Sequence, residues 1–122
     1  MANPNIVGVT TINGNNNSIQ VTSNAAHLVR NGSTSNAVYK INQIYISNVD
    51  TSVADQVTVT LVTDPQGTPT TRHIAKSISV PAQATLEVLS APFYLKENQD
   101  IQVVGAAASG DLEAVATWEE IS

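Results

Sequence analysis

The pattern of apolar and polar positions changes phase once in the valine- and isoleucine-rich centre of the chain. The apolar side chains move from one parity to the other, from Tyr39 and Ile41 to Ile44 and Ile46. Alternation with a period of two is typical of a half-buried strand. A change of phase inside one strand indicates an extra residue in it. The sequence therefore predicts a strand with a β-bulge near Asn42–Gln43.

A second, regular strand follows a polar turn at residues 48–55, with Val57, Val59 and Leu61 on one face. Similar short segments, separated by turn residues, occur along the rest of the chain at 18–23, 25–30, 72–80, 84–90, 100–105 and 111–119. Eight to ten short strands and no helix predict an all-β fold, an antiparallel β-sandwich. We expect a jelly-roll-like arrangement first and an immunoglobulin-like one second, since the Cys-Trp-Cys framework of true immunoglobulin domains is absent.

The first 17 residues differ in composition from the remainder, and we predict an N-terminal arm at 1–17 and one sandwich domain at 18–122. Ile6–Ile12 is a candidate strand, and the Asn-rich run Asn13–Asn17 is a predicted loop, because Asn and Gly favour turns. The segment is either an edge strand with a loop or an arm that pairs with a neighbouring subunit. The candidate interface residues are Asn3, Asn5, Ile6, Val7, Val9 and Ile12.

Composition narrows the functional classes. The 122 residues suit one domain, and there is no cysteine for disulfides or thiolate metal sites. The net charge is −5, and the chain from Glu97 onward carries acids but no Lys or Arg, so we expect no nucleic-acid partner. No apolar run is long enough to span a membrane, and the start lacks the features of a signal peptide.

Candidate catalytic and metal-binding residues are few. His27 and His73 have no acidic neighbour in sequence, and two histidines without cysteine make a zinc site improbable. The aspartates fall at predicted turns, without the spacing of a calcium loop, and are more simply turn formers. We expect no cofactor, no metal and no enzymatic activity.

Two further groups of residues keep alternative functions open. Glu97 to Asp100 and Glu119–Glu120 could act as paired carboxylates in a glycoside hydrolase, and exposed aromatic rings could bind sugar. Trp118 shares a face with two alanines, however, and packing in the core is the simpler interpretation for it. A small hydrolase and a sugar-binding module therefore remain as alternatives to a structural protein.

Four segments resemble small virion structural proteins of tailed bacteriophages, especially those that infect cyanobacteria. They are ANPNIVGVTTI, VYKINQIYISNVD, RHIAKSISVPAQATLEVL and GDLEAVATWEEIS. The resemblance covers most of the chain, in strand and turn positions that carry no catalytic signature.

The resemblance implies a capsid decoration (cement) protein, with a tail or neck accessory protein as the alternative. It implies the major capsid protein or another virion protein as the partner, and a homo-oligomer, with a trimer favoured. The expected location is the virion, at the capsid surface, after synthesis in the host cytoplasm. An arm such as Ile6–Ile12 could bind there by adding a strand to a neighbouring sheet, and many weak contacts on one lattice would together hold the protein.

Overall fold

The computed structural model describes residues 8, 10–106 and 111–122. The strands are β1 (Ile12–Val21), β2 (Ala26–Asn31), β3 (Val38–Asn48), β4 (Asp55–Thr63), β5 (Thr70–Val80), β6 (Thr85–Glu87), β7 (Phe93–Leu95), β8 (Gln99–Gly105) and β9 (Leu112–Ile121). These residues include no α-helix. Accordingly, the described part of the chain contains no helix that could cross a membrane.

The strands form two antiparallel sheets that pack together, which confirms the predicted all-β sandwich. The first sheet has the order β1-β9-β3-β6, and β7 also pairs with β3. The second sheet has the order β2-β8-β4-β5. The immunoglobulin-like alternative does not fit, because that fold places its first two strands side by side in one sheet, whereas β1 and β2 lie in different sheets.

The predicted bulge in β3 is confirmed. Ile41 lies opposite Trp118 and Gln43 opposite Thr117, so that Asn42 is the extra residue. An extra residue reverses the parity of the side chains that follow it. Consequently the apolar side chains before and after the bulge point to the same, inner face of the first sheet.

The core lies between the two sheets and is built mainly from β-branched side chains. Val57 and Val59 on β4 and Ile101 and Val103 on β8 are fully buried. The first sheet contributes isoleucines from β3 and a row from β9, in which Leu112, Ala114, Ala116 and Trp118 alternate with more exposed residues. The small alanines leave room in this row for the large indole ring.

The predicted loop at Asn13–Asn17 is wrong, because these residues belong to β1. Asn13 to Asn17 pair in unbroken register with β9, opposite Glu120 to Ala116. The turn preference of asparagine is weak compared with a complete ladder of backbone hydrogen bonds to a neighbouring strand. The expected boundary between arm and domain at 17/18 therefore falls inside β1.

Candidate functional site

Of the six residues predicted to form an interface, only Ile12 lies within the described residues. It is the first residue of β1, and its side chain is 58% exposed. The predicted positions Asn3, Asn5, Ile6, Val7 and Val9 lie outside the described residues. Just before β1, the backbone N–H groups of Thr10 and Thr11 both donate to the carbonyl oxygen of Ser122, at 3.0 Å. Thr10 and Thr11, which directly precede β1, therefore lie beside the C-terminal end of β9.

Among the described strands, β1 lies at the edge of the first sheet, and its backbone hydrogen bonds show which residues face away from β9. Thr11 and Ser122 exchange two backbone hydrogen bonds. In an antiparallel ladder such pairs alternate with pairs that are not bonded to each other. Since the register is unbroken, odd-numbered residues bond to β9. The residues whose N–H and C=O groups point away from β9 include Ile12, Gly14, Asn16 and Ser18.

Side-chain amides tie β1 to its surroundings. Asn17 Nδ2 donates to the carbonyl oxygen of Leu28 in β2 at 2.8 Å, which links the two sheets at this side of the sandwich. Asn15 Nδ2 donates to Glu120 Oε2 at 2.9 Å, and Asn15 Oδ1 accepts the backbone N–H of Asn16 at 2.8 Å. The Asn-rich run thus supplies cross-links that let a polar sequence form a long strand.

The second sheet carries a buried carboxylate on its outer face. Asp100 on β8 is fully buried, and its Oδ2 lies 2.8 Å from His27 Nδ1 on the neighbouring β2. Arg30, directly opposite Asp100 in the ladder, places Nε 3.5 Å from Oδ1. Both partners are about half-exposed, with side-chain exposures of 46% and 42%. The buried carboxylate is compensated by the Arg30 guanidinium and by the His27 imidazole, both of which remain in contact with water.

A polar depression of about 280 Å³ opens beside this cluster. Among the residues that line it are Arg30, Asp100, Asn98 and Gln66. A His–Asp pair is one part of a catalytic triad, but the reaction also needs a nucleophile next to the imidazole. Among the described residues, no hydroxyl group hydrogen-bonds to His27. The contact between His27 and Asp100 links β2 to β8, and the described part of the chain places no nucleophile beside it.

The second histidine lies apart from the first. His27, Gln102, Thr60 and His73 follow one another across the four strands of the second sheet, each opposite the next in the ladder. Two intervening strands separate the imidazoles by roughly 14 Å, at about 4.8 Å per strand. Within the described residues, no group of three or more His, Cys, Asp or Glu side chains is placed to hold a metal ion.

The two candidate carboxylate pairs do not converge on a cleft. Glu119 and Glu120 are successive residues of β9, so that their side chains point to opposite faces of the sheet. Glu119 Oε1 accepts a hydrogen bond from Asn42 at 3.3 Å, whereas Glu120 Oε2 accepts bonds from Asn15 and Trp118. Glu97 accepts the backbone N–H of Asn36, and Asp100 contacts His27 and Arg30. Glu119 and Glu120 therefore cannot act together on a substrate from one face of the sheet.

Two of the aspartates at turns are structural groups. Asp50 Oδ1 accepts the backbone N–H groups of Ser52 at 2.7 Å and Val53 at 2.9 Å, and these bonds lower the pKa of Asp50. Asp64 Oδ2 accepts the backbone N–H of Thr68 at 3.0 Å, which, with a bond from Asn98, lowers the pKa of Asp64. Both carboxylates accept hydrogen bonds from the backbone of a turn, as the sequence predicts for aspartates at turns.

The aromatic residues are divided between the core and the surface. Trp118 is 7% exposed and stacks on Tyr39, with ring centroids 6.1 Å apart. Burial and the nearby Glu120 carboxylate raise the pKa of Tyr39. Tyr94 on β7 is 47% exposed. The predicted core position of Trp118 is confirmed, and Tyr94 is the one strongly exposed ring among the described aromatic residues.

Two buried asparagines have structural roles that the sequence analysis does not identify. Asn48 ends β3, and its Nδ2 donates to the carbonyl oxygens of Val53 at 3.0 Å and Val80 at 2.9 Å. Asn31 ends β2, and its Nδ2 donates to Ala37 and Leu95 carbonyl oxygens. Each amide ties a loop to a distant strand. One partner of each amide is remote in sequence, Val80 for Asn48 and Leu95 for Asn31, so only an Asn at the end of an apolar strand hints at such a role.

Comparisons with known proteins identify a likeness in structure but none in sequence. No protein-family model matches the chain, and no curated protein matches it. The fold is similar to that of a chain in the acidic stable capsid structure of Helicobacter pylori bacteriophage KHP30, with a TM-score of 0.53. The match covers 93% of this chain and 90% of that chain, at 9% sequence identity. At this identity the likeness concerns the fold.

Proposed function

We propose that this protein is a non-enzymatic structural component of a bacteriophage particle and that it decorates and stabilises the capsid. The observation that carries the proposal is the likeness to a chain of a phage capsid structure, which extends over nearly the whole of both chains. The strand and turn segments that resemble virion proteins of tailed phages support the same conclusion. The partner would be the major capsid protein or another virion protein, and the location the virion.

The strand order supports a jelly-roll assignment. If β6 and β7 count as one interrupted strand, the first sheet pairs the first, last, third and sixth strands, and the second sheet pairs the second, seventh, fourth and fifth. This nested order favours a jelly roll, a fold used in viral capsid and lectin domains. The fold is therefore compatible with both a capsid role and the sugar-binding alternative.

The experiment follows the protein in particles of the phage that encodes it. Peptide mass spectrometry and cryo-electron microscopy of purified particles should find the chain in many copies at the capsid surface. Density at the tail or neck would favour an accessory protein there. Absence of the chain from purified particles would contradict the proposal.

The role of the arm is tested on particles that lack the protein. Purified full-length protein should bind them, and a variant without residues 1–9 should bind at least tenfold more weakly, because it lacks the strand that would add to a neighbouring sheet. This truncation leaves β1 intact, whereas removal of residues 1–17 would cut the ladder with β9. Circular dichroism checks that the shortened domain is folded, and equal binding of both forms would contradict the arm hypothesis.

A sugar-binding role is the second candidate, and the exposed ring of Tyr94 favours it. Buried Trp118 removes the largest ring from any such surface. Binding to a glycan array that Tyr94→Ala abolishes would support this alternative over a purely structural role.

A further inference from the structure

We propose that β1 is a docking edge for a second copy of this chain, so that β1 pairs antiparallel with β1 of its partner across a two-fold axis. The proposal rests on the geometry of β1 and its surroundings, independently of the role in a phage particle. A two-fold contact at this edge is separate from the trimer that is expected of a decoration protein, since it uses a different symmetry.

The edges of the two sheets differ in how well they are protected against pairing. The edge strand β5 carries Arg72 and Lys76 and shows shifts of register against β4. β2 is six residues long and also contains a register shift, and β6 and β7 have three residues each. Charges, bulges and short length are the usual devices that prevent edge-to-edge association. β1 has ten residues in unbroken register and none of these devices.

Charge favours a second copy as the partner at this edge. No Asp, Glu, Lys or Arg occurs before Arg30, although the whole chain carries a net charge of −5. Two copies of an acidic protein repel each other, and like charges directly opposite in a sheet are destabilising. Because β1 carries no charged side chain, two copies can approach at this edge without electrostatic repulsion between the paired strands.

The register of this pairing follows from the longest possible ladder, and the shape of the outer face agrees with it. The longest two-fold ladder over the outward-directed residues places Asn16 opposite Asn16 of the second copy, which sets Ile12 opposite Gln20. A depression of about 260 Å³ on the outer face is lined by residues that include Ser18, Gln20, Glu113 and Val115. The exposed Ile12 side chain of each copy would enter this depression of the other. The same contact is made twice, as an isologous interface requires.

Pairing replaces one local contact of the isolated chain. The backbone N–H of Asn16 donates to Asn15 Oδ1 in the single copy, and a backbone carbonyl of the second copy would take the place of that side chain. A strand pair with two inserted isoleucines is a small interface, and small interfaces are typical of weak association. We therefore expect a dimer at high protein concentration, on the order of 1 mM, and a monomer on dilution.

Ile12→Asn tests the contact by removing the inserted side chain from both halves. Sedimentation equilibrium should show dimerisation weakened by on the order of 100-fold, since each lost apolar contact is worth roughly a factor of ten. Val53→Asn is the matched control, because Val53 is equally exposed, at 60%, but lies in the β3–β4 loop. A wild-type protein that stays monomeric at 1 mM, or equal effects of the two variants, would overturn the proposal.

Single cysteines test the register, since the natural chain contains none. Under mild oxidation Asn16→Cys should form a disulfide dimer, because the two residues lie opposite each other. Ile12→Cys should not link to itself, because its counterpart lies roughly 27 Å away, at about 3.4 Å per residue. Thr71→Cys on the β5 edge should also remain unlinked. Cross-linking of all three at the same rate, or of none, would contradict two-fold pairing through β1.

Discussion

At the scale of single residues, the buried carboxylate of Asp100 stabilises the second sheet through its contacts with His27 and Arg30. It is fully buried on the outer face of the second sheet, while its partners His27 and Arg30 remain half-exposed. Removing the carboxylate and removing its two partners should therefore have different effects on stability. Loss of the carboxylate frees two groups that water can solvate, whereas loss of both partners leaves a charge in the protein without compensation.

We expect His27→Gln combined with Arg30→Met to lower the free energy of unfolding by about 3 kcal/mol, the low end of the range for an orphaned buried charge, because water screens the half-exposed partners. Asp100→Asn should cost less, since no buried charge remains. Urea denaturation at neutral pH measures both variants. Arg72→Met, at an exposed position on β5, is the control and should change stability by less than about 0.5 kcal/mol. A double variant as stable as this control would refute the assigned role.

At the scale of secondary-structure elements, the bulge at Asn42 decides which side chains of β3 reach the core. Tyr39 and Ile41 precede it, Ile44 and Ile46 follow it, and all four point to the inner face. Without the extra residue, one of the two pairs would point to the outer face.

Deletion of Asn42 should therefore lower the free energy of unfolding by about 3 kcal/mol or more, since each large apolar side chain that leaves the core costs about 1.5–3 kcal/mol. Asn42→Ala keeps the bulge and removes only the bond to Glu119, so it should cost less than about 1 kcal/mol. Chemical denaturation monitored by Trp118 fluorescence compares the two. Similar losses in both variants would show that the bulge itself is unimportant.

At the scale of the whole molecule, two aspartates stabilise the loops at the two ends of β4 by accepting backbone hydrogen bonds. Asp50 holds the loop that precedes β4, and Asp64 holds the turn that follows it. Backbone N–H groups stabilise the charged forms and lower both pKa values below 3.8. A lowered pKa means stabilisation that is fully present above the ordinary value and is lost as the pH falls through the pKa of the folded state.

We expect the melting temperature to fall as the pH is lowered below 3.8, in part because these two carboxylates become protonated. The variant Asp50→Asn/Asp64→Asn should melt below the wild type at pH 7, because a neutral acceptor forms weaker bonds than a carboxylate. Asparagine also tolerates the left-handed backbone of Asp64, whose φ is 55°. Differential scanning calorimetry should show the two melting temperatures converging at acidic pH. A constant difference at all pH values would contradict the assigned role.

The sequence by itself determined the strand content, the sandwich, the bulge in β3 and the core position of Trp118. These features follow from local periodicity, which the chain carries wherever one face of a strand is buried. The alternation of apolar and polar residues gives no signal where the side chains on both faces of a strand are polar. For this reason the Asn-rich part of β1 is predicted as a loop, although β9 offers it a continuous set of hydrogen-bond partners.

The tertiary structure alone decided the contacts between residues that are distant in sequence. His27 and Asp100 are separated by 73 positions, and no local pattern indicates that β2 and β8 are neighbours. The same is true of the buried amides of Asn31 and Asn48 and of the open edge at β1. The nested order of strands pairs the first strand with the last. Strand order depends on which sheets bury the most apolar surface, which is a property of the whole fold.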